Sequence, residues 1–249
     1  MKHAQREWGS LYEVVSAFMM IMLYIWWLRL SDTWTWVLIL VPIVASNFVH
    51  REGPQRLGLW WSQFRAAAFP VLAWTAVVAA AVLATAALAG SFRRGTARQA
   101  LVNVVWYVLW GLVQQYLLNG FFVNRLAAFA EPPTKPGTPC SEAPRARALS
   151  SARPGAANGA FAHRVALAAA ALFSVVHLPN WFLMLATFVG GYVCARVYLR
   201  FRSLYALAIA HGVIGFVLFL AVPDSVSAHF LVGPRYVIQR YRSYPEFLL

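Results

Sequence analysis

Long apolar runs, separated by short basic or proline-bearing breaks, set the pattern of this chain. The first run, 11–30, is bulky and tryptophan-rich, and no small-x-small cleavage site follows it. It reads as an uncleaved helix rather than a signal peptide. The second, 33–49, opens on Trp34 and Trp36, an interfacial aromatic pair. A polar, basic connector at 50–65 contains Gly53 and Pro54 and a tryptophan-bearing piece, 57–61, of interfacial character. The third run, 66–90, is rich in alanine and valine and is closed by Arg93, Arg94 and Arg98. The fourth, 98–126, is longer than a span requires, which predicts tilt or protrusion. Residues 130–160 are hydrophilic, with proline, serine, glycine and arginine, and predict a flexible, solvated loop. Three more runs follow at 161–178, 181–199 and 203–222. Pro179 stops the first of these, and Gly190 and Gly191 in the next permit close helix approach. The tail, 223–249, is too polar to span.

About 20 apolar residues cross a bilayer. The pattern therefore predicts an all-α polytopic membrane bundle of about seven transmembrane helices. It divides into N-terminal transmembrane helices (1–97), a core (98–222) interrupted by the loop 130–160, and a polar basic tail (223–249). Composition agrees, since 61% of residues are hydrophobic and 12% charged, against about 25% charged in soluble domains. The net charge of +13 sits at the ends of apolar runs. That placement fits membrane anchoring and speaks against nucleic acid as a partner. With the N-terminus inside, the inner segments carry twice the Lys and Arg of the outer ones. The expected topology is N-terminus cytoplasmic, with the long loop on the same side, in a bacterial cytoplasmic (inner) membrane. Cys140 in the loop and Cys194 in an apolar run form neither a CxxC nor a ligand pair, and nothing calls for a cofactor.

The acidic residues are Glu7, Glu13, Asp32, Glu52, Glu131, Glu142, Asp224 and Glu246, all expected at the periphery. A proton- or cation-coupled transporter usually needs a carboxylate at the midplane, and no internal repeat of the transporter kind is present. The polar residues that do interrupt apolar runs are Gln114, Gln115 and Asn119 in the fourth, His177 at the end of the fifth and His211 in the last. An amide buried in hydrocarbon without a partner costs a few kcal/mol. Three clusters converging on one site satisfy one another better than three isolated ones. Two histidines alone are too few ligands for a metal. One difficulty stands in the spans themselves. Gln114 and His177 fall at different depths unless the hairpin 161–199 is short or re-entrant, or the fourth helix starts outside the core.

The order and spacing of these residues resemble a known family. Phe173 and His177 fit an FxxxH motif at a helix end, and His211 closes a segment that follows a Gly-Gly helix. Gln114, Gln115 and Asn119 stand where that family has an EExxxR motif. The chain, over about 100–215, is thus similar to the CAAX-protease and bacteriocin-processing (CPBP) family of intramembrane proteases. It is a variant with QQxxxN for EExxxR. The resemblance implies a polar cavity between helices and a membrane-anchored or lipid-modified protein cleaved near its terminus. It implies catalytic roles at His177, His211, Gln114 and Gln115, with Asn119, Phe173 and Asn180 in support. Gly215 falls where the family has an asparagine. A glutamine amide is no base, so His177 or His211 is expected to take the proton, with the amides orienting water or stabilising an oxyanion. The alternative is a catalytically silent relative that acts as a membrane binding or immunity-type protein.

Overall fold

The computed structural model describes residues 2–29, 35–93, 95–130 and 156–243, all of whose regular elements are helical. Most of the predicted loop lies outside these residues, with Asp32, Trp34, Arg94, Glu131, Cys140, Glu142 and Glu246. Helix α1 (Lys2–Leu23) runs into a π-helical turn (Tyr24–Leu28). Then come α2 (Trp36–Val49), a short α3 (Pro54–Leu57) and α4 (Trp61–Ala89). Helix α5 (Ala97–Gln115), a π-helical segment (Tyr116–Val123) and α6 (Asn124–Ala130) form one continuous rod. After the loop come α7 (Ala156–Val175), α8 (Trp181–Phe201) and α9 (Leu204–Ala221). The chain ends in α10 (Asp224–Ser227), a 3-10 turn (Ala228–Phe230) and α11 (Pro234–Ser243).

Five of these stretches are long and apolar enough to cross a membrane: 8–28, 54–89, 97–130, 181–201 and 204–221. Trp36–Val49 and Gly159–Val175 are shorter apolar helices. The described residues therefore form the all-α membrane bundle that the pattern predicts. Several boundaries differ, among them that of α7, which begins at Ala156 rather than 161. Helix α4 begins at Trp61 rather than 66, because only Pro54–Leu57 folds separately before Trp60 adopts extended backbone. Helix α1 begins at Lys2, well before the apolar run.

The long rod organises the bundle. Its first half runs against α9, its second against α1 and the α7–α8 hairpin, while α4 lies along α9 and α2 against α1. Small residues set the first contact. A Cβ on Gly212 would stand 2.5 Å from Val108 Cα, and one on Gly111 3.0 Å from the Ala208 carbonyl. Gly212→Ala is therefore expected to lower stability by about 1–3 kcal/mol, since the backbones must part. Thermal unfolding in detergent checks this, with Gly190→Ala as an unchanged control. The pair Gly190 and Gly191 divides, since a Cβ on Gly191 would stand 3.1 Å from the Phe173 ring whereas nothing lies within 4 Å of a Cβ at Gly190.

The second half of the rod is fastened by charge. Arg125 is 1% exposed. It donates to Glu13 Oε2 at 2.6 Å, Glu52 Oε1 at 3.1 Å, Ser46 Oγ at 3.0 Å and Asn47 Oδ1 at 2.9 Å. Asn47 also donates to Tyr116 Oη at 2.7 Å, and Glu13 Oε1 meets His50 Nε2 at 2.9 Å. Glu13, near the start of its span, and Glu52, in the connector, are thus partly buried. One buried guanidinium draws both inward, and it ties α1, α2 and the connector to the rod.

Candidate active site

The rod, α7 and α9 each bring one polar group to a shared face. Gln115 closes α5, and the π-helical segment begins one residue later. Asn119 lies one turn further on, and both side chains are fully buried. Asn119 Nδ2 donates to Gln115 Oε1 at 2.6 Å. The Gln115 NH2 is left for His211 Nδ1, 2.9 Å away on α9. An amide nitrogen only donates, so Nδ1 of His211 accepts and the ring proton sits on Nε2.

His177 is held in the opposite sense. Helix α7 ends at Val175, and the turn that follows places the His177 ring back over its own last turn. Its Nδ1 lies 2.7 Å from the Phe173 carbonyl oxygen. A carbonyl only accepts, so this ring carries its proton on Nδ1 and presents Nε2 as a lone pair. The Phe173 ring packs edge-on to both imidazoles, with centroids 5.1 Å from His177 and 6.1 Å from His211. One imidazole can therefore take a proton and the other can give a hydrogen bond. His211 is half-buried and His177 is 9% exposed.

The depth problem closes through the length of the rod. Helix α5 supplies 19 of its 34 residues, so Gln115 sits near the middle. Phe173, one turn before His177, reaches His211 at that level.

Not every expected residue joins this chain of contacts. Gln114 is half-buried, and no hydrogen bond to it is made among the described residues. Asn180 is fully buried but faces elsewhere. Its Oδ1 caps α8 at Leu183 N, and its Nδ2 donates to the Ser227 and Leu231 carbonyls at 2.8 and 3.0 Å. It fixes the turn after His177 to the strap that follows α9, and so supports the site by position. Gly215 lies beside the Tyr107 ring, which a Cβ there would approach to 3.1 Å, and brings no polar side chain. Two participants escaped the sequence reading: the Phe173 carbonyl, which any residue would supply, and the Asn119 Oδ1 atom, which is buried without a partner. An orphaned acceptor of this kind calls for a donor from water or a bound molecule. Among the described residues no three His, Cys, Asp or Glu side chains are grouped to hold a metal ion.

Residues 147–217 match the family described as type II CAAX prenyl endopeptidase Rce1-like. The match covers both His177 and His211. It stops short of Gln114, Gln115 and Asn119. Searches of curated proteins and of solved structures return no match.

Proposed function

We propose that this chain, whose histidine-bearing segment matches the Rce1-like endopeptidases, is an intramembrane endopeptidase cleaving a membrane-anchored or lipid-modified protein near its terminus. The observation that carries this reading is the opposite hydrogen bonding of the two imidazoles. His177 Nε2 takes a proton from water as the water oxygen attacks the scissile carbonyl carbon. His211 Nε2–H donates to the oxyanion that forms. Gln115 is the positioning residue that holds His211 in the donating tautomer. Asn119 Oδ1, the orphaned acceptor, takes a hydrogen bond from the attacking water or from a substrate N–H. His177 then passes its proton to the departing amine. No carboxylate is needed in this scheme, in keeping with Gln114 and Gln115 standing where the family has glutamates.

The same two glutamines favour a second reading, a relative that binds a membrane partner without turnover. Isotope labelling separates the two. The protein is reconstituted in vesicles with membrane-anchored peptides of varied termini, in water enriched in oxygen-18. Hydrolysis puts one heavy oxygen into the new carboxylate. Stable association with a peptide and no labelled product across the series would overturn the protease reading in favour of the binding one.

A further inference from the structure

The C-terminal end of α1 and the start of α11 bring two arginines together. Arg29 caps the π-helical turn that closes the first apolar span, directly after Trp26, Trp27 and Leu28. That position is the headgroup level of a bilayer. Arg235 is the second residue of α11, and its Nη2 donates to the Arg29 carbonyl at 3.1 Å. The backbone enforces this approach. Gly233 has φ +60°, and a Cβ there would stand 2.8 Å from Ile25 Cγ2. Only glycine lets the strap lie flush against α1, so Arg235 is delivered beside Arg29.

Both side chains are half-buried. Burial first, and then the charge of Arg235, hold the Arg29 guanidinium below its ordinary range. Neither arginine pairs with a carboxylate among the described residues, since Asp224, the acid of this strap, is taken by Arg93 and His229. The Arg235 guanidinium, seated on the Arg29 backbone carbonyl, repels that of Arg29, and the repulsion is relieved when an anion lies between them. Their planar forks match the paired oxygens of a phosphate, and the N-terminal end of α11 adds positive partial charge.

We propose that Arg29 and Arg235 form a binding site for a phosphate monoester or diester at the membrane surface, framed by the end of α1 and the start of α11. The site is separate from the histidines but linked to them. Gly233 N donates to the Leu178 carbonyl at 2.7 Å, so the strap that carries Arg235 also rests on the turn after His177. A bound phosphate joins the strap to α1 and steadies that turn.

The test uses the full chain in neutral detergent and reads the unfolding temperature. Three additions are compared: phosphatidylglycerol, diacylglycerol with the same acyl chains, and inorganic phosphate. The expected result is an upward shift with phosphatidylglycerol alone, lost in the Arg29→Gln/Arg235→Gln double variant and kept in Arg164→Gln. A matching shift with inorganic phosphate, equally lost in the double variant, assigns the site to free phosphate. No shift in the wild type by either phosphate source, or an undiminished shift in the double variant, overturns the proposal. Should the double variant fold poorly, native mass spectrometry of Arg235→Lys gives the reading. Weaker retention of phosphatidylglycerol than in the wild type supports the site, and equal retention overturns it.

Discussion

His177→Ala is expected to lower the rate of peptide cleavage at least about a hundredfold, and His211→Ala by a similar factor. The two losses have different causes. Without His177 no described residue at the site offers a base in place of Nε2, because the amides of Gln115 and Asn119 take no proton and the His211 Nδ1 lone pair is held by Gln115. Without His211 the oxyanion loses its donor, while water activation survives. Gln115→Ala acts only through His211, so it is expected to cost about tenfold. In the His211→Ala background it should cost almost nothing further, because the group it positions is gone. Initial rates in vesicles for the two single variants and the double variant measure this coupling. Independent, multiplying losses would mean that Gln115 touches the reaction directly.

Arg125→Ala is the substitution expected to cost most stability, about 3–5 kcal/mol. The guanidinium is 2% exposed and bonds two carboxylates, while Glu13 and Glu52 are 27% and 17% exposed. Removing it leaves those carboxylates in partial burial without their shared cation, and leaves Asn47 Oδ1 and Ser46 Oγ without a donor. Glu13→Gln should cost less, since the amide oxygen still accepts from Arg125. Combining Arg125→Ala with Glu13→Gln and Glu52→Gln should recover part of the loss, because no unpaired charge remains. Denaturant titration in mixed micelles ranks these variants. An Arg125→Ala protein as stable as the wild type would mean that the cluster does not fasten α1 and α2 to the rod.

The fold was largely legible because hydrocarbon imposes a simple pattern. Apolar runs near bilayer length fold as helices, and Pro179 and the Gly53–Pro54 pair mark breaks where the structure has them. The cost of burying an amide pointed to Gln115, Asn119 and His211 meeting, and they form one hydrogen-bonded chain. Other features depend on rotation about a helix axis, which composition does not reveal. Gln114 and Gln115 are adjacent in sequence but about 100° apart on the helix, and only Gln115 faces α9. Asn180, which the family resemblance set in support of the site, points to the strap. The Arg125 cluster was hidden because its acids come from α1 and the connector, far away in sequence. A lone arginine directly after an apolar stretch was the available sign, and it read equally well as a boundary charge.

His177 and His211 are held as opposite tautomers, one to accept and one to donate. Nitrogen-15 NMR of histidine-labelled protein in bilayers reads this directly, with His177→Ala and His211→Ala giving the assignments. Expected are a protonated Nδ1 with bare Nε2 at His177 and a bare Nδ1 with protonated Nε2 at His211, the latter dependent on Gln115. The same tautomer at both residues, or a His211 signal unchanged in Gln115→Ala, would contradict this.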